Sequence, residues 1–143
     1  MEPCLIWKCE GHRSFVSSGN NEFKHVEGNP LNIFRDLLKQ SAINLPADLP
    51  QASAGLFGYF GYDMVRHVEN LPKVNPDKIG LPDAMFIRPT KIAVLDGVKG
   101  EVFLVSPVFY NQKTSSNQAF IKAKNKIEDA IFKFKKQLIT LIN

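Results

Sequence analysis

Residues 54–69, AGLFGYFGYDMVRHVE, decide how the rest of the chain is read. Gly55, Gly58 and Gly61 recur at every third position, and Leu56, Phe57, Tyr59, Phe60 and Tyr62 fill the gaps. So many large apolar rings between glycines are incompatible with a solvated, flexible loop. Aromatic residues favour strands, and a glycine inside a strand marks a bulge, a bend or the close approach of another backbone. Because apolar groups fill consecutive positions instead of alternating, residues 56–62 read as a central strand buried on both faces. Asp63 follows as the expected N-cap of a short helix over 64–68, its carboxylate accepting backbone N–H bonds. Leu71-Pro72 closes the unit.

Upstream, residues 5–9 and 14–17 are strand candidates, with Gly11-His12-Arg13 as the hairpin turn and Trp7 as its anchor in the core. A polar turn at Gly19-Asn20-Asn21 leads to a weaker strand over 22–26. Asn29 then reads as an N-cap, with Pro30 in the first helical position, where its missing N–H costs nothing. Leu31, Phe34, Leu37, Leu38 and Ser41 form one stripe at helical spacing, and Arg35, Asp36, Lys39 and Gln40 fall on the wet side. The prolines of LPADLP (45–50) prevent that helix from continuing.

Downstream, the proline-rich connection LPKVNPDKIGLP (71–82) precedes three strands, over 84–88, 91–95 and 101–106. The last two should pair antiparallel around Asp96-Gly97-Val98-Lys99-Gly100, where glycine supplies positive φ. Pro89 implies a bend or an edge between the first two. After a polar spacer over 111–117, with helix-start chemistry at Ser115 and Ser116, a long helix over 117–142 closes the chain. Its expected apolar face holds Phe120, Ala123, Ile127, Ala130, Ile131, Phe134, Leu138 and Leu141, widened by Phe132, Ile139 and Ile142.

At 143 residues, 44% apolar and 22% charged, the chain has the size and composition of one soluble globular domain. No apolar run reaches the roughly 18–20 residues that cross a bilayer. The start MEPCLIWKCEG lacks the basic region and cleavage site of a signal peptide, so cytoplasm is the expected location. The net charge of +4 raises the question of nucleic acid. However, no nucleic-acid module is present, and the aromatics sit in apolar runs, not between Lys and Arg. Lys122, Lys126, Lys133 and Lys136 read as the solvated side of the last helix. No nucleic-acid or membrane partner is expected.

The chemically capable residues are few. Cys4 and Cys9 are an odd number apart, which places them on opposite faces of one strand and argues against a shared bond or metal. His12 and His25 sit in or near turns, without a third ligand at metal spacing. The glycines run G-x-x-G-x-x-G, which is neither phosphate-loop pattern, and aromatics fill the places where a ligand needs bare backbone. Asp63 and His67 would share a face of the short helix, with Glu69 nearby, a set that could relay a proton or hold a metal. Capping remains the simpler role for Asp63, and Arg66 has Asp63, Glu69 or a carboxylate from another segment to pair with. No G-x-S-x-G elbow or Cys–His signature is present. No residue is therefore assigned a catalytic, cofactor-binding or metal role. The residues alone lead to an α+β fold, an antiparallel sheet system with packed helices.

GLFGYFGYDMVRHVENLP (55–72), followed by LPDAMFIRPTKIAVLDGVKGEVFLVSPV (81–108), resembles the N-terminal domain of anthranilate synthase component I over about residues 5–107. The resemblance implies part of that layered N-terminal domain, read as a single domain over 1–143. It implies a place in tryptophan biosynthesis, where chorismate with glutamine or ammonia becomes anthranilate, and a scaffolding and feedback-regulatory role. Aminodeoxychorismate and isochorismate or salicylate synthases share weaker versions of the pattern, and a free-standing binding module is a further alternative. The family's chorismate- and Mg²⁺-binding acidic motifs are not found here, nor is its early Leu-Leu-Glu-Ser element. The implied partners are the chorismate-binding remainder of component I and a glutaminase component. Mg²⁺ is expected in the absent catalytic part, and the isolated chain is expected to be inactive.

Overall fold

The computed structural model describes residues 3–19, 22–72, 76–109 and 114–142, with side chains as far as 136. The chain divides into two compact units, Glu2–Ala42 with Gly55–Pro89, and Ile43–Ala54 with Thr90–Asn143.

The first unit is an antiparallel sheet with one helix on it. Its elements are β1 (Pro3–Glu10), β2 (Arg13–Ser17), β3 (Lys24–Val26), α1 (Pro30–Ser41), β4 (Phe57–Phe60), a 3-10 helix (Tyr62–His67) and β5 (Ala84–Pro89). The strand order is β3-β2-β1-β5-β4, antiparallel throughout. β1 and β2 form the expected hairpin, Glu10 opposite Arg13, with Gly11 at φ +57° where a residue carrying a Cβ would be strained. Alternation along β1 sends Leu5, Trp7 and Cys9 into the core with Ala84, Met64 and the α1 residues Phe34 and Leu37. Trp7 is fully buried, its indole N–H donating to Ser14 Oγ at 3.3 Å. Phe34, Phe60 and Phe86 stack around it, with ring centroids 4.6–6.4 Å apart. Helix α1 starts as its sequence dictates: Asn29 Oδ1 accepts from the N–H groups of Leu31 (3.0 Å) and Asn32 (3.3 Å), and Pro30 opens the first turn. Phe34, Leu37 and Ser41 are buried, while Leu38 stays largely exposed at the margin of the stripe.

Two expectations are corrected here. The glycine-aromatic stretch is neither central nor buried on both faces. β4 is the sheet's edge, and Phe57, Tyr59 and Phe60 remain 39%, 42% and 46% exposed. The central strand of the five is β1. Consecutive apolar residues divide between two faces, and an edge strand has a neighbour on one side only, so neither face is sealed. The glycines do mark the close approach of another backbone. A Cβ on Gly58 would lie 1.9 Å from the Met85 carbonyl oxygen, and one on Gly61 2.8 Å from that of Asp83. Asp63, moreover, caps nothing. The helix is 3-10, starts two residues earlier behind Gly61 and has no side-chain cap bond, which leaves Asp63 inside its first turn.

The second unit holds a 3-10 turn (Gln51–Ser53), β6 (Ile92–Asp96), β7 (Glu101–Val105) and α2 (Ser116–Ile142). β6 and β7 pair antiparallel in a two-stranded sheet of their own, and β5 ends at Pro89, so the proline stands where the chain leaves one sheet for another. In the turn, Asp96 Oδ1 accepts from the N–H groups of Val98 and Lys99, both at 3.0 Å, and Gly100 takes φ +68°. The backbone donors from Lys99 and Val98 hold the Asp96 carboxyl below the usual range. Ser115 accepts from Gln118 N–H at the start of α2. On that helix Ala123, Ile127 and Ala130 are half-buried, whereas Phe120, Ile131 and Phe134 stay exposed, so only part of the expected apolar face is covered. Asn20 and Asn21 of the expected turn, Lys73, Val74 and Asn75 of the proline-rich connection, Asn111, Gln112 and Lys113 of the spacer, and the side chains of Leu138, Ile139, Leu141 and Ile142 lie outside the described residues.

Candidate functional site

Within the first unit, three segments meet at Asp83. Its N–H donates to the Cys9 carbonyl (2.8 Å), its carbonyl accepts from Gly61 N–H (2.7 Å), and its carboxylate accepts from Gly11 N–H (2.6 Å). The end of β1, the β1–β2 turn and the entry to the 3-10 helix are thus fastened to the residue before β5. A small polar group gathers beside this tie. The Cys9 thiol, fully buried, lies 3.2 Å from the Gly11 carbonyl and 3.8 Å from His67 Nε2. The His67 ring meets that of His12 edge-on, with centroids 5.1 Å apart.

A cysteine beside a histidine raises the question of a nucleophile, which requires a thiolate. Here burial, then the negative charges of Asp83 and Glu10, push the Cys9 thiol up to about 11. It is a neutral thiol at physiological pH, a core group and not an activated one. Among the described residues, no cluster of three or more His, Cys, Asp or Glu side chains could hold a metal ion.

The residues weighed in the sequence do not assemble. Asp63 pairs with Arg66, Oδ1 to Nε at 2.7 Å, and Arg66 also donates to the Pro72 carbonyl. His67 turns instead toward Cys9 and His12. The 3-10 geometry accounts for the separation: with three residues per turn, positions three apart eclipse, which joins Asp63 to Arg66 and rotates the fourth residue away. Glu69 is exposed, and its backbone N–H bonds the Val65 carbonyl. His25 is exposed beside Phe15, with ring centroids 5.6 Å apart. Cys4 and Cys9 are free thiols, as expected; Cys4 lies against Arg88, whose Nε is 3.3 Å from its sulfur. On α2 the lysines are interspersed with acids. Asp129 takes Lys133 at 2.9 Å and Lys91 at 3.6 Å, and the Lys133 hydrogen bond holds its carboxyl below the usual range. The sequence did not single out Asp83, although Pro-Asp before a strand was its visible trace, nor the meeting of Cys9 with His67, 58 positions away.

No family model matches the chain. It is nonetheless 47% identical over 135 residues to anthranilate synthase component 1 of Cereibacter sphaeroides, covering 92% of this chain and 27% of that protein. The chain corresponds to the N-terminal part of anthranilate synthase component I. Component 1 of Acetivibrio thermocellus is 33% identical over 127 residues, 88% of this chain and 25% of its own length. The crystal structure of component I from Streptococcus pneumoniae TIGR4 superposes with a TM-score of 0.70 at 20% identity, over 91% of this chain and 28% of that one, which agrees with the α+β fold. The chain spans about a quarter of the length of the component I relatives it matches. Among the described residues, no helix is long and apolar enough to cross a membrane.

Proposed function

We propose that this chain is the scaffolding and regulatory N-terminal part of an anthranilate synthase component I, acting in tryptophan biosynthesis in the cytoplasm. The observation that carries the reading is 47% identity to the Cereibacter protein across 92% of the chain. The chemistry, chorismate with glutamine or ammonia giving anthranilate, belongs to the chorismate-binding remainder together with a glutaminase component. The family's Mg²⁺ finds no fitting donor cluster among the described residues, so no metal-assisted step is assigned to them. What this chain supplies is a braced sheet: an aromatic core under α1 and the Asp83 tie between three segments. Its regulatory part would be to change shape or rigidity when tryptophan binds the assembled enzyme.

The test is a full-length chimera in which this chain replaces the matching quarter of the Cereibacter protein. It should make anthranilate from chorismate, Mg²⁺ and ammonia within about tenfold of the parent rate, a loss of no more than about 1.4 kcal/mol in the barrier. It should also be inhibited by tryptophan. A soluble, folded chimera without activity would reject the scaffolding role. An active chimera indifferent to tryptophan, made from a sensitive parent, would reject the regulatory one.

A further inference from the structure

The two edges of the five-stranded sheet are built differently. β3 is three residues long, Lys24-His25-Val26, with Glu22 and Glu27 beside it. A short, charged strand of this kind is how proteins keep an edge from recruiting another chain. β4 is short as well, at four residues, but differs in composition. It reads Phe-Gly-Tyr-Phe, without charge or proline, and all three of its aromatic rings are more than a third exposed. Tyr62, just beyond it, is 86% exposed. Among the described residues β4 pairs with β5 alone, so its other side is bare backbone flanked by aromatic surface on both faces. Phe60 faces the Trp7 cluster, and Phe57 and Tyr59 lie on the opposite face, across from Ile87 and Met85.

Unpaired N–H and C=O groups in a row are best satisfied by another strand, and apolar side chains on either face give that strand something to pack against. The relatives supply the occupant, since about three quarters of their length lies outside the part matched here. We propose that a strand from the chorismate-binding remainder of component I adds to the open side of β4, with apolar residues meeting Phe57 and Tyr59 on one face and Phe60 on the other. The proposal rests on the reading of the chain as the N-terminal part of that enzyme.

Hydrogen exchange tests it, comparing the 143-residue chain with the full-length chimera. Amides of β4 should exchange at least about tenfold more slowly in the chimera, while those of β1, already paired on both sides, change little. Phe57→Lys, which places a charge on the edge, should return β4 toward fast exchange in the chimera; Tyr59→Lys serves if that variant does not fold. A chimera that makes anthranilate but leaves β4 exchanging as fast as in the chain alone overturns the strand addition and spares the functional reading. An inactive, folded chimera removes both. A chain that dimerises by itself with β4 already slow assigns the edge to a second copy and also overturns the proposal.

Discussion

Cys9 shows what an enclosed position does to a thiol. The group ionises near 9.0 when the chain is open and near 11 in the fold, so folding favours the neutral form. Its contribution is complete below the lower value and is lost as pH rises through the upper one, because the unfolded chain gives up its proton first. Between about pH 8 and about pH 10.5 the loss should amount to about 2 kcal/mol. Urea unfolding at about pH 8 and about pH 10.5 should show this fall in the native chain and a distinctly smaller one in Cys9→Ala, which has no thiol to titrate. Equal falls in both would mean that other groups carry the alkaline response. Two glycines offer a second contrast. Gly58→Ala drives a methyl into the Met85 carbonyl and should cost about 3 kcal/mol or prevent folding. Gly97→Ala points into open space without positive φ and should stay within about 0.5 kcal/mol of the parent. Thermal melts of both variants decide it.

Among the elements, α1 owes its start to the two bonds that Asn29 accepts, so Asn29→Ala should lower stability by about 1 kcal/mol, read as a shift of the denaturation midpoint at unchanged slope. This helix was legible because its signals are local: a cap, a proline and a stripe within a dozen residues. The β1–β2 hairpin and the turn at Asp96 were legible for the same reason, each set by the chemistry of adjacent residues. The place of β4 was not. Whether an apolar strand is central or at an edge depends on which other strands reach it, and nothing within Phe57–Phe60 records that β5 pairs with both β1 and β4. The short helix failed by a subtler margin. The same residues wound at three per turn instead of 3.6 exchange an Asp63–His67 neighbourhood for the Asp63–Arg66 pair. Since that pair is partly exposed, Asp63→Asn should change stability by less than about 1 kcal/mol in a melt.

At the level of the molecule, the purified chain should yield no anthranilate when supplied with chorismate, Mg²⁺ and ammonia; a fluorescence assay for the product checks this. Turnover by the chain alone would locate catalytic chemistry in residues given none here. The likeness to component I was legible because it is carried by contiguous runs, 55–72 and 81–108. The polar group at Asp83 was hidden because it gathers residues from three separate stretches, 9–12, 61–67 and 83.

The position of β5 between β1 and β4 also sets a timetable. β1 is complete at Glu10, but its second neighbour does not begin until Ala84. At ordinary rates of translation, that interval leaves one flank of the nascent hairpin waiting roughly 4–15 s beside the ribosome. Helix α1 can cover Leu5 and Trp7 in the meantime, but Phe86 reaches the indole only with β5, so the unpaired flank of β1 is where a chaperone has most use.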